Sequence, residues 1–285
     1  MKYLFRLAAV LIVLMCSASA MAQKDRNATL KRMSELGIRV MVRAGVNVGG
    51  TAPIPIPSEM KSINSYSPGL NFGFEGDVLA NFTEKWGVQV GARLENKSMR
   101  SDVTVENYYT TLVNDGDLIE GNYTGKERTT VSYSLLTFPV LATYKINSSW
   151  TIMFGPYFSY AMRREFYGHA ADGYMRNLQK DPVTGEMVPT GDKVIIPADR
   201  PATYDFSDDM RRFQWGLEAN VDWRCFRHFL VFAHLDWGLN DAFKSSFKTL
   251  SFPMYPIYAM VGFADAFLSL IHISEPTRRT PISYA

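Results

Sequence analysis

Cysteine is almost absent from this chain: there are two, and Cys16 falls in an N-terminal leader, so Cys225 stands alone in the remainder. A lone cysteine excludes an intramolecular disulfide even in an oxidising compartment. Histidine is also scarce, with four in 285 residues. Charge of one sign is missing too, because the net charge is only +2, which removes the electrostatic case for a nucleic-acid partner. Long apolar runs are lacking after the leader. Without about 18 consecutive apolar residues, no helix is expected to cross a bilayer, and any membrane crossing has to be made by strands.

The ends of the chain carry their own signals. Lys2 and Arg6 precede an apolar run from Leu7 to Met15, and small residues lead to Ala20-Met21-Ala22, the pattern of a secretory signal over residues 1–22 with Gln23 as the mature N-terminus. Met15 stands before Cys16 where a lipobox would place a small residue, so lipidation is not expected. At the other end, Leu268 to Arg278 resembles the translation of a transposase-type sequencing adapter. Residues 268–285 are therefore expected to be non-native, leaving residues 23–267 as one domain without a low-complexity linker.

Period-two alternation marks eight segments in that domain. The clearest place Val40, Val42, Ala44 and Val46 opposite Arg39, Arg43, Gly45 and Asn47. Next come Phe72, Phe74 and Val78 opposite Glu75 and Asp77, then Trp86, Val88 and Val90 opposite Gln89, Arg93 and Glu95. Further segments cover Val131 to Ile146, Trp150 to Met162, Phe213 to Asp222, Val231 to Gly238 and Ile257 to Phe267. Short links at Asn81–Lys85, Asn147–Ser149 and Arg224–His228 alternate with long ones at about Gly49–Ser67, Asn96–Thr130, Arg163–Arg212 and Asn240–Pro256. Short turns on one side and long loops on the other are the habit of transmembrane barrels, with the short side periplasmic. The expectation is an all-β fold, a single eight-stranded antiparallel up-and-down transmembrane β-barrel.

Alternation alone does not say which face is inside. A soluble lipocalin-like barrel turns its apolar face inward, a membrane barrel turns it outward. Lipid is favoured by Trp86, Trp150, Trp223 and Phe229, which flank the short turns as a periplasmic aromatic girdle would. It is also favoured by the absence of Lys and Arg from the apolar faces, since one such residue at the midplane costs about 2–4 kcal/mol. Asp265, sharing a face with Val261 and Phe263, is the exception and falls near the rim.

The mature chain resembles the Bacteroidetes-type outer-membrane β-barrel family often called PorT-like. The resemblance rests on Gly49-Gly50-Thr51-Ala52-Pro53-Ile54-Pro55-Ile56-Pro57, on Tyr133 to Lys145 with Phe138-Pro139, on Gly155-Pro156-Tyr157 and on Arg93-Leu94-Glu95-Asn96-Lys97. It implies location in the outer membrane and contact with its lipid; it supplies no catalytic motif and no substrate.

With the polar faces inward, Arg39, Arg43, Arg93 and Lys145 would share a lumen with Glu75, Asp77, Glu95, Glu218, Asp222 and Asp236. Charges removed from water require partners, so a neutralising network is expected, filling an interior just wide enough for side chains. A narrow porin-like channel for small solutes is the alternative use of the same residues. His234 and Asp236 form an i, i+2 pair, but no third member of a triad is identifiable and no enzyme is expected. Asp205, Asp208 and Asp209 lack the spacing of a calcium loop, so neither metal nor cofactor is expected. The longest loop interleaves Tyr167, Tyr174, Tyr204 and Phe206 with Arg164, Arg176, Arg200 and Arg211, a mixture suited to an extracellular glycan or protein ligand. A monomer is expected.

Overall fold

The computed structural model describes residues 38–181, 183, 187–226, 228–250 and 252–267. The expected leader and the expected non-native tail both lie outside the described residues. Among the described residues there are eleven strands: β1 (Ile38–Pro53), β2 (Met60–Pro68), β3 (Asn71–Asn81), β4 (Trp86–Asn114), β5 (Asp117–Lys145), β6 (Trp150–Lys180), β7 (Met187–Ile196), β8 (Ala202–Asp205), β9 (Phe213–Arg224), β10 (Phe229–Gly238) and β11 (Met254–Phe267). Eight of them close a ring in chain order, β1-β3-β4-β5-β6-β9-β10-β11, and β11 returns to β1; every pairing is antiparallel. β2, β7 and β8 are additions above the ring, on β4 and β6.

Each of the eight alternating segments became a stave of that ring, and their apolar faces point outward. Phe72 is 44% exposed and Val90 46%, although a soluble barrel would have gathered them into a dry centre. The lipocalin-like alternative is thereby set aside. The outward apolar positions form a continuous band over Val40–Val48, Phe72–Val78, Trp86–Leu94, Leu136–Tyr144, Trp150–Tyr160, Phe213–Trp223, Phe229–Trp237 and Tyr255–Phe263. All but the shorter Phe72–Val78 match the roughly 9–11 residues that a tilted strand needs to cross hydrocarbon. Asp265 is exposed at the lower rim, opposite Phe229.

Short turns at the lower rim are built by side chains that substitute for backbone partners. Ser149 and Trp150 both donate their N–H to Asn147 Oδ1 at 2.8 Å, and Trp86 donates to Thr83 Oγ1 at 2.9 Å. These are the Asx and ST turns that Asn and Thr favour.

The upper side departs from expectation. The long links at Asn96–Thr130 and Arg163–Arg212 are largely strand, because β4, β5 and β6 continue to 29, 29 and 31 residues, far beyond the band. β4 turns into β5 at Asn114–Asp117, where Asp115 has φ 52° and Gly116 φ 93°, the two positive φ values of a type I′ hairpin. Inside this extension the inward faces become apolar, and Met99, Val103, Val105, Tyr108 and Leu112 of β4 pack with Tyr123, Val131 and Tyr133 of β5. The segments after β8 and after β10 fold over this core: Phe166 meets Phe243 edge-on at 4.9 Å, and Phe206 stacks on Tyr204 at 5.1 Å.

Candidate functional site

The lumen is layered. Nearest the end with the short turns, Met41, Leu79, Leu230, Phe232 and Ala264 belong to an apolar cluster. Above it lie the buried charged residues, and above those the apolar core of the extension. Alternation explains the charged layer directly, because Arg43 on β1, Glu75 and Asp77 on β3, Gln89, Arg93, Glu95 and Lys97 on β4, Glu218 and Asp222 on β9, and His234 and Asp236 on β10 all occupy inward positions.

Two arginines organise this layer. Arg43 donates from Nε to Asp77 Oδ2 at 2.7 Å and makes a two-pronged contact with Asp222 at 2.7 and 2.9 Å. Its Nη2 also reaches Gln89 Oε1 at 3.1 Å, and its guanidinium lies 5.1 Å from the centre of the Phe232 ring. Arg93 donates to Glu75 at 2.9 Å and to Glu218 at 2.8 Å, pairs with Asp236 at 3.2 Å and with Glu95 at 3.4 Å, and has the His234 ring 3.1 Å from Nη1. Lys97 bridges Asp236 at 2.7 Å and Glu95 at 3.0 Å. Both arginine side chains are fully buried. A planar fork with five donors suits this work, because it satisfies several carboxylates from one fixed position.

Six carboxylates face three cations here, and neutral donors supply part of the difference. Thr137 Oγ1 donates to Glu95 Oε1 at 2.8 Å and Asn47 Nδ2 donates to Glu95 Oε2 at 3.3 Å. Gly91 is required by closeness: a Cβ there would sit 2.2 Å from Asp77 Oδ1.

Arg39 and Lys145 do not join this layer. They are half-buried at the mouth beside the short turns, where their charges repel one another and Arg224, and neither makes an ion pair among the described residues. The reason is position along the strand, since each lies beyond the lowest ring of buried carboxylates and can be hydrated. Lys97 belongs to the layer although it falls within a predicted loop. Its signal was the uninterrupted odd-numbered run Gln89, Gly91, Arg93, Glu95, Lys97, which the loop assignment at Asn96 cut short.

Glu218, His234 and Asp236 bring possible ligand atoms within 4.8 Å of one another. Arg93 already engages all three, and a divalent cation would face that fixed guanidinium at short range. The donor set fits an arginine counter-charge and does not fit a metal centre. No catalytic geometry follows from His234 and Asp236 either, because both ring nitrogens are enclosed by the same ion pairs.

The girdle residues stand at the lower rim. Trp150 and Trp223 are register partners whose rings stack at 6.0 Å, Trp86 packs on Tyr144 at 4.7 Å, and Phe229 stacks on Phe263 at 5.2 Å.

In the extension, the expected ligand-facing mixture is divided. Tyr204 and Phe206 are buried, and Arg164 and Arg211 donate to the carbonyls of Met210 and Phe243 at 3.0 and 2.6 Å. These residues are structural because the segment folds back as a cap and does not project as a free loop. Tyr167 remains exposed, and Lys193 Nζ lies 4.1 Å over the Tyr174 ring beside Arg176. Burial pushes the Glu127 carboxyl up to about 7, and burial together with the charge of Glu127 holds the Tyr108 and Tyr204 hydroxyls well above the usual phenol range. Asp102, on the outer face, is held below the ordinary carboxylate value chiefly by its hydrogen bond from Arg128.

The outer membrane protein beta-barrel domain family matches residues 21–244. No curated protein matches the sequence. Among solved structures the chain is similar to Ail, the attachment invasion locus protein of Yersinia pestis, in complex with the heparin analogue sucrose octasulfate. That likeness has 8% identity and a TM-score of 0.31, and covers 81% of this chain and 97% of that one. It is also similar to OprG from Pseudomonas aeruginosa, at 14% identity over 80% of this chain and 95% of that one, with a TM-score of 0.27. A third is the translocator domain of the autotransporter NalP from Neisseria meningitidis, at 9% identity over 87% and 97%, with a TM-score of 0.23. Identities and TM-scores this low say nothing about ligands.

Proposed function

The chain belongs to the outer membrane protein beta-barrel family and resides in the outer membrane, and from that premise we propose that it is a non-enzymatic, non-conducting barrel whose working part is its extracellular extension. The observation that carries this reading is the buried layer centred on Arg43 and Arg93, whose side chains bond across the lumen from β1, β3, β4, β9 and β10. An ion crossing would have to displace charge-assisted hydrogen bonds that hold the interior together. Apolar clusters lie below and above that layer. Three strands of about 30 residues then carry an ordered, capped surface away from the membrane. Rigid scaffolds that present such surfaces are where contact with glycan or protein partners concentrates, and the group formed by half-buried Tyr174 and Arg176 with exposed Lys193 has the chemistry for it. The proline-rich run Gly49–Pro57 and the Phe138-Pro139 and Gly155-Pro156-Tyr157 pieces support placing the chain with the PorT-like members.

Planar-bilayer recording of the purified protein tests the sealed lumen. Insertion without stable conductance steps is the expected result. Reproducible, ion-selective steps would establish the narrow channel instead.

A further inference from the structure

The wall of the ring is split on one side. β1 pairs with β3 only up to Asn47↔Asn71, while its last residues, Val48 to Pro53, are held by β11 alone. β2 continues the line of β3 along β4, from Pro68↔Met99 to Met60↔Val105, and forms no ladder with β1. A side-chain hydrogen bond spans the split, from Tyr66 Oη to the Gly49 carbonyl at 2.6 Å. The split therefore begins where the lipid-facing band ends. Exposed apolar side chains stand near it, alongside the polar residues of β2: Leu70 is 79% exposed, Ile56 64% and Ile63 60%.

Behind the split lies a cavity of about 510 Å³, within the range of small-molecule sites. Its inner wall is Met99, Val103, Val105, Tyr108, Phe166 and Met254. Lys97, fixed between Asp236 and Glu95 with its Nζ 5.4 Å from the Tyr258 ring, is not part of the cavity lining. Gly50 keeps it open on the β1 side, since a Cβ there would lie 2.5 Å from Met99 Sδ. No lysine or arginine lines it, whereas Glu59 and Glu127 do.

We propose that this cavity binds the alkyl chain of an amphiphile with a cationic or hydroxyl head, admitted sideways through the split between β1 and β2 at the outer rim of the membrane. An apolar lining rewards burial of methylenes at about 0.8 kcal/mol each. Two carboxylates without a lysine or arginine disfavour a carboxylate head and favour an ammonium or a hydrogen-bond donor. The proposal stands independently of whether the lumen conducts.

The test uses the full chain in phosphatidylcholine nanodiscs with dodecylamine carrying a chain-end diazirine, followed by irradiation and peptide mapping. The expected adducts lie on Met99 and Val103–Tyr108 and are removed by excess dodecylamine at concentrations at least tenfold below those needed for dodecanoate. A parallel arm places the diazirine on the phospholipid chain; adducts on the same residues would identify membrane lipid as the source of the alkyl chain. Ser101→Trp and Gly50→Phe, which fill the cavity from opposite walls, are each expected to cut labelling at least tenfold while heat-modifiable migration shows an intact barrel. Labelling confined to band residues such as Phe74 and Val261, or undiminished in both folded variants, would overturn the cavity site. Equal competition by dodecanoate would overturn the assigned head group.

Discussion

Arg93 illustrates how much one side chain holds in this interior. It touches four carboxylates that come from β3, β4, β9 and β10, and removing it leaves Glu75 and Glu218 buried without their ion-pair partner while Glu95 and Asp236 keep Lys97 alone. Breaking a buried ion pair from one side costs about 3–5 kcal/mol, so Arg93→Ala should lower the unfolding free energy in lipid by at least that range, read from urea midpoints of the heat-modifiable band. Lys145→Ala should fall within about 0.5 kcal/mol of wild type, because Lys145 lies in a like-charged, hydrated mouth. A large loss for Lys145→Ala and a small one for Arg93→Ala would mean that the network had been assigned to the wrong layer. Arg43 is the less crowded centre, with two acidic partners and an amide, and its smaller set explains why it also rests against Phe232.

Among the elements, the long β4–β5 hairpin departs furthest from a sequence reading, and its cause is visible residue by residue. Asn114-Asp115-Gly116-Asp117 is a strong two-residue turn signal flanked by Leu112, Val113, Leu118 and Ile119, yet polar residues on both faces between Glu106 and Thr111 mask the alternation. Outside hydrocarbon a strand has no need of an apolar outer face, so the pattern that marks a membrane stave fades even though the ladder continues. Gly116 adopts φ 93°, where a β-branched side chain is strained. Gly116→Val should destabilise this tip, appearing as faster cleavage of β4–β5 by added protease on intact cells, with unchanged migration of the barrel. An unchanged cleavage rate would show that the ladder below the turn, and not the turn, sets local stability.

For the whole molecule the decisive question is which side of the ring meets hydrocarbon. Val90 lies within the band, opposite Val140 of β5 and Val78 of β3. Val90→Arg should cost about 2–4 kcal/mol of barrel stability in lipid vesicles, the penalty for a cation near the midplane of a lipid-facing strand. Ser65→Arg, on the polar surface of β2 above the band, should be close to neutral. Equal tolerance at the two sites would mean that Val90 does not face lipid. The same orientation accounts for the girdle, since Trp86, Trp150, Trp223 and Phe229 fall on one rim of the closed ring and each has an aromatic neighbour.

The eight staves, their lower turns, the division of each into an apolar and a polar face and most of the buried charges were legible along the chain, because a strand's side chains alternate and local turn chemistry needs only near neighbours; which face met hydrocarbon was not given by alternation alone. The partnership of Arg43 with Asp222 was not legible, as those residues are 179 apart and meet only when the ring closes. Closure also moved Tyr204 and Phe206 from an expected ligand surface into the cap, left Arg39 and Lys145 at the mouth, and opened the wall between β1 and β2. Local periodicity is a one-dimensional property and can be read as such; which carboxylate neutralises which arginine, and where a wall parts, depend on distances that exist only in the closed barrel.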